Sequence, residues 1–230
     1  MVLFVLAVIF NINTGNVHIS PARIFRIIFL HGDMGTPEYN IIWKIRLPRL
    51  CMAAILGGAL SLSGFLLQTF FSNPIAGPYV LGISSGAKMM VALAMIIFLK
   101  YYTLVSSYIL IIAAFIGSML SIGFILLLAR KIRNMATLLV GGIMIGYICS
   151  AVTDFVVTFA EDSDIVNLHG WSQGSFSGMS WSNVKVAALM VGITLILTFF
   201  LSKPIGAYQL GEMYAQSMGV NIRVFRVLLI

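Results

Sequence analysis

The chain has 230 residues, of which 60% are hydrophobic and only 9% charged, against about 25% charged in an average soluble domain. With a mean hydropathy of +1.03, 21 glycines and 13 methionines, this composition excludes a soluble globular domain, a disordered tail and a coiled coil, and leaves a polytopic membrane protein. The net charge of +7 sits between apolar runs, where Lys and Arg set topology and meet lipid headgroups rather than nucleic acid.

In chain order, residues 1–10 are apolar but too few to span a bilayer, which takes about 20. They lack the basic n-region and small-residue cleavage site of a signal peptide. A polar loop is expected over 11–44. Residues 50–87 carry no formal charge, and Asn73-Pro74-Ile75-Ala76-Gly77-Pro78 breaks the run, because proline and glycine interrupt helices. Spans are therefore predicted near 50–72 and 79–99, then near 107–129, 134–160 and 186–202. The loop 161–182 is acidic at its start and rich in Gly, Ser and Trp. The loop 203–226 holds a helix-like stretch over 207–218, stopped by Gly219 at the C′ position. Another apolar run begins at Val224. The expectation is a single transmembrane domain over 1–230, clipped at both ends.

Strict alternation divides the 14 basic residues equally between the two sides. The compact cluster Arg130, Lys131 and Arg133 favours the inside, since short loops weigh most in the positive-inside rule.

Gly142, Gly146, Ser150 and Asp154 recur every four residues, and Gly57, Ser61 and Gly64 form a similar small face. Both read as helix-packing faces. Asp154, close to the acidic loop, reads as interfacially solvated, with proton coupling as the alternative. Gln68 reads as an interhelical hydrogen-bond partner, and Lys88 as a snorkelling side chain. Cys51 and Cys149 lie inside apolar runs, against a disulfide framework or a Cys-based metal site. His18, His31 and His169 are far apart and read as solvated, so no metal and no cofactor is expected. Neither HExxH nor CxxC occurs. Gly141 and Gly146 match phosphate-loop glycines, but Tyr147-Ile148 stands where Lys-Ser/Thr is needed. The chain should not hydrolyse ATP.

The run Arg46-Leu47-Pro48-Arg49, continued by AAILGGALSLSGFLLQTFFSNPIAGPYVLGISSGA, resembles the signature of the FecCD-type permeases, the membrane subunits of ABC importers for ferric siderophores, haem and cobalamin. LLVGGIMIGYICSA, WSQGSFSGMSW and LGEMYAQSMGV follow in the family's order, and the resemblance covers 19–230. It implies an all-α transmembrane bundle of the type II importer kind, with about ten helices in the family and the first seven represented here. It further implies a second permease subunit, cytoplasmic ABC ATPase subunits, an extracytoplasmic substrate-binding protein, membrane lipid around the spans, and residence in the bacterial cytoplasmic membrane.

By the same resemblance, 11–44 lies outside and 203–226 in the cytoplasm. Arg46 and Arg49 would dock the binding protein's carboxylates, with Pro48 starting the helix that holds them. Leu210, Gly211, Glu212, Ala215, Met218 and Gly219 would form the ATPase-coupling element. Asn134, Met135, Ala136 and Thr137 would stand at the cytoplasmic gate, and Trp171 and Trp181 would anchor a short re-entrant helix. The expected function is import of an iron chelate, with haem or cobalamin open as substrates. The alternatives are an ion-coupled secondary transporter using Asp154 and Lys88, or a non-functional truncated permease fragment.

Overall fold

A computed structural model describes residues 2–15, 17–30, 32, 34–101, 107–132 and 134–229. His31 and Arg133 lie outside the described residues. Every regular element among the described residues is helical. Among the described residues four helices are long and apolar enough to cross a membrane: Pro37–Phe71, Tyr108–Ala129, Met135–Val157 and Trp181–Phe200, with a shorter apolar helix over Ile83–Ile96. Two compact units divide the chain, one formed by the residues up to Ala59 with Ser175–Phe199, the other by Leu60–Gly174 and the residues from Phe200 onward.

The first unit contains α1 (Val2–Asn13), α2 (Pro21–Phe29), α3 (Pro37–Ile41), the start of α4 (Leu47–Phe71) and most of α9 (Trp181–Phe200). Ile12, Ile19, Ile24, Ile27 and Ile42 form its buried core. The predicted loop 11–44 is therefore largely helical. Pro21 and Pro37 each stand at the start of a helix, where a missing N–H costs nothing.

Pro48 does not begin the first span, contrary to the sequence expectation. The helix runs through it because Ile42–Arg46 forms a π turn, a register that absorbs an interruption of the α ladder. In that register Leu47 donates to the Ile42 carbonyl. The next donor, to the Trp43 carbonyl, would be Pro48, which has no N–H. The Trp181 indole supplies the missing donor at 2.7 Å, with the two indole rings 6.1 Å apart. Trp181 thus ties α9 to the π turn rather than only anchoring at the interface. Trp181→Phe keeps the ring and removes the donor. It is expected to cost about 1–3 kcal/mol, read as a lowered thermal midpoint in detergent.

The second unit is built on α5 (Ile83–Tyr101), α6 (Ser107–Ala129) and α7 (Met135–Val157). Here glycines bring backbones together. A Cβ on Gly117 would lie 2.1 Å from the Gly86 carbonyl oxygen, and one on Gly86 would lie 2.0 Å from Ser121 Oγ. A Cβ on Gly82, in the turn before α5, would lie 2.6 Å from the Gly146 nitrogen. That turn holds 79–82, so α5 starts at Ile83 and not at 79. Leu67, Phe70, Leu81, Ile125, Leu138 and Tyr208 belong to the main core of this unit.

The segment after α7 is also helical. α8 (Asp162–Gln173) buries Leu168 in a second cluster with Val91, Ala92, Met95 and Ala113, against which Trp171 packs. Three further helices follow α9, namely α10 (Ser202–Gln209), α11 (Glu212–Ser217) and α12 (Ile222–Leu229).

Candidate coupling and docking sites

The predicted stretch 207–218 is two helices, not one. The break falls at Gly211, whose φ of 123° and ψ of 148° place it in a region essentially restricted to glycine. α10 ends before it and α11 starts after it. α11 then closes on a Schellman motif. Gly219, at φ 88°, donates to the Gln216 carbonyl, and Val220 donates to that of Ala215. The C′ assignment of Gly219 agrees with this geometry.

From Leu210 to Gly219 the side chains sort by face. Ala215 is fully buried, and its small size lets α11 lie against the core. Leu210, Met213 and Met218 are exposed, Met213 at 87%. All three are large apolar side chains left uncovered on a short corner.

A polar network holds the corner. Tyr208, 1% exposed, donates its hydroxyl to Glu212 Oε1 at 2.7 Å and lies 3.4 Å from the Phe70 carbonyl. Arg226 on α12 donates to the same Glu212 oxygen through Nε, at 3.1 Å, and through its terminal nitrogen. Gln209 donates to Thr69 Oγ1 at 3.2 Å. Burial, then the Glu212 carboxylate that accepts its proton, pushes the Tyr208 phenol up to about 12. With the folded value raised above the ordinary one, the neutral phenol supports the fold below about pH 10, and that support is lost as pH rises towards 12. Glu212 therefore acts as the keystone of α10, α11 and α12, in addition to its place in the expected coupling element. Sequence reading missed Tyr208 and Arg226. The i,i+4 spacing of Tyr208 and Glu212 was available as a signal; nothing in the sequence pointed to Arg226, Thr69 or Phe70.

The two arginines expected to dock the binding protein part company. Arg46 is 8% exposed and donates to the carbonyls of Ile12 and Val17, the latter at 2.6 Å. A Cβ on Gly15 would lie 2.6 Å from its guanidinium, so that glycine leaves room for the charge. Arg46 is engaged inside its own unit, and the exposed position expected of a docking residue is not what the structure gives it. Arg49, one helical turn on, is exposed and donates to Ser177 Oγ at 3.3 Å.

At the start of α7, Asn134 is the helix cap, its Oδ1 accepting from Ala136 N at 2.9 Å and Thr137 N at 3.2 Å. Met135 packs against the core of the second unit. Ala136 and Thr137 are exposed.

The packing faces are corrected in part. Gly142 and Gly146 are buried as expected, but the buried stripe continues to Cys149 and Thr153, leaving Ser150 and Asp154 exposed. Four residues advance an α-helix by about 400°, so a strict four-residue repeat drifts about 40° per step off a straight face. Gly57 and Ser61 are exposed and Gly64 half-buried. A Cβ on Gly57 or Gly64 meets nothing within 4 Å, so this small face is not a packing face among the described residues. Gln68 is exposed too. His169 shares a 2.8 Å contact with Gln173, and His18 is exposed. Among the described residues no group of His, Cys, Asp or Glu could hold a metal ion.

Apolar helices of spanning length, packed through glycine in the second unit, define an all-α multi-pass membrane bundle. Residues 3–230 match the FecCD transport family, and the chain belongs to that family, a group of multi-pass inner-membrane proteins. It is 33% identical over 224 residues to the hemin transport system permease protein HmuU of Yersinia pestis. It is 31% identical over 232 residues to the vitamin B12 import system permease protein BtuC of Escherichia coli K12. These alignments take in 97% and 100% of this chain, which spans 66% of the length of either relative. A solved structure described as an inward-facing conformation of a metal-chelate type ABC transporter superposes with a TM-score of 0.80. That match covers 99% of this chain and 68% of the other at 22% identity, a likeness of fold.

Proposed function

We propose that this chain works as the membrane permease subunit of a binding-protein-dependent ABC importer, moving an iron chelate across the cytoplasmic membrane by alternating access. Partner ATPases supply the energy, and a second permease subunit completes the path. Membership of the FecCD family and relatives named for hemin and vitamin B12 import support the reading. Both those cargoes are bulky metal chelates, and a ferric siderophore has the same character.

The observation that carries the proposal is the α10–α11 corner, where Gly211 and Gly219 present Leu210, Met213 and Met218 to solvent on a braced element. In this reading the corner seats in an ATPase groove, and closure of the ATPases on nucleotide shifts α10 and the helices tied to it. Arg49, exposed beside Ser177, pairs with a carboxylate of the binding protein. Ala136 and Thr137, exposed at the first turn of α7, stand at the cytoplasmic narrowing, with Asn134 and Met135 fixing the helix start.

Co-purification with the ATPase and capture of the binding protein by proteoliposomes test both ends. Met213→Asp places a charge on the exposed corner without disturbing the core. It is expected to lower ATPase recovery at least tenfold and leave binding-protein capture intact. Arg49→Glu should do the reverse. Full ATPase recovery with Met213→Asp would refute the coupling assignment; unchanged capture with Arg49→Glu would refute the docking one.

A further inference from the structure

Helix α2 presents three faces. Ile24 and Ile27 are buried against the first unit, and the Trp43 indole donates to the Ile27 carbonyl at 3.4 Å. Arg23 and Arg26 lie on a flanking, polar face. On the side turned away from the isoleucines Phe25 and Phe29 stand 59% and 67% exposed, their rings 4.8 Å apart. Basic residues on one side and uncovered aromatics on another are the pattern of short helices that rest in the plane of a membrane interface.

Beside it runs a cleft of about 530 Å³ between α1, α2 and the start of α4, lined by Ile9, Ile12, Ile24, Phe25, Phe29 and Leu50 among others. Its size falls within the about 300–1,000 Å³ of small-molecule sites. Asn13 is the one polar residue among the described residues of the lining, so an occupant with peptide groups would leave them desolvated and unpaired. The wall suits a hydrocarbon chain. The charges of α2 stand outside this lining, next to it on the helix. Arg23 is engaged with Glu38 at 3.1 Å. Arg26, exposed and without an ion pair among the described residues, stands three residues before Phe29, on the adjacent helix surface.

We propose that this cleft binds one acyl chain of an anionic phospholipid whose phosphate pairs with the Arg26 guanidinium. The site is independent of the importer reading and rests only on the chain's residence in a bilayer. A bound chain of this kind fastens α2 to α1 and covers the apolar wall that the fold leaves open.

Native mass spectrometry of the chain released from nanodiscs of equal parts phosphatidylglycerol and phosphatidylcholine tests the site. One retained phosphatidylglycerol per chain is expected. Ile9→Trp, which fills the cleft from its exposed rim, is expected to lower that retention at least tenfold with an unchanged thermal midpoint. Arg26→Gln is expected to retain a lipid but lose about tenfold in preference for phosphatidylglycerol, the scale of one charge-assisted contact. Undiminished retention in Ile9→Trp overturns the site, as does a full headgroup preference in Arg26→Gln. Loss of a chain–chain complex rather than of lipid in Ile9→Trp assigns the cleft to a second copy and likewise overturns it.

Discussion

Gly117→Val is expected to abolish the folded bundle. Any Cβ at position 117 falls 2.1 Å from the Gly86 carbonyl oxygen and 2.7 Å from its carbon, and these are backbone atoms of a neighbouring helix. A flexible side chain moves aside at small cost, but backbone at a helix crossing moves only if α5 and α6 separate. Inserting volume into a packed core costs about 1–3 kcal/mol and sometimes more; here two branched methyls meet backbone, so the upper end or beyond is expected. Separating the helices also exposes Ser121, buried at 2%, to hydrocarbon. The measurement is recovery of the monodisperse folded species on size-exclusion chromatography, with thermal unfolding of what survives. Gly123→Ala is the control on the same helix, since a Cβ there meets nothing within 4 Å. Adding a methyl at such a helical position changes stability by about 0.5–1 kcal/mol in the favourable direction. Equal losses in both variants would show that α6 tolerates no substitution in general, and the crossing explanation would fall.

Gly211→Ala is expected to damage coupling more than folding. The backbone at φ 123° and ψ 148° costs a residue with a Cβ about 1–3 kcal/mol, although nothing lies within 4 Å of the added methyl. Strain without a clash is relieved by turning the corner. Such a turn moves Glu212 away from Tyr208 and Arg226, and takes Met213 out of its present orientation. Under the proposed function, the substrate-stimulated share of ATP hydrolysis in proteoliposomes should fall severalfold, while the spans still insert. Gly206, also free of neighbours but inside α10, supplies the comparison. Gly206→Ala should leave coupling intact. Normal coupling in Gly211→Ala would show that the angle of this corner is not used.

The spans were legible because the rule that writes them is local. About 20 uncharged apolar residues cross a bilayer whatever they pack against, and the charge-free runs around Ser121 and Gly142 marked α6 and α7 to within a few residues. The cap at Asn134 and the stop at Gly219 are local too. The four motifs starting at Arg46, Leu138, Trp171 and Leu210 pointed to the family before any fold was known. What periodicity misjudged, it misjudged for a physical reason. A repeat of four suggested that Ser150 shares the face of Gly142, yet the helix turns past it and Thr153 takes the buried position.

Pro48 shows the other limit. Read locally it ends or starts a helix; in the fold a π turn and an indole 138 residues beyond Trp43 let the helix pass through. Arg46 looked like a surface charge because it follows a loop and precedes a span. Only the carbonyls of Ile12 and Val17, with Gly15 clearing space for the guanidinium, make it a buried donor.

The sequence by itself determined the membrane habit, the places of the spans, the family and the two glycines that shape the corner, since hydropathy, helix breaking and capping depend on neighbours a few residues apart. Tertiary structure alone decided which glycines carry helix crossings, which arginine is spent inside the fold, and that Glu212 is shared by Tyr208 and Arg226. Apart from the step from Tyr208 to Glu212, those outcomes depend on groups 14 or more residues apart, and contacts at that range leave no pattern in a single chain's order of residues.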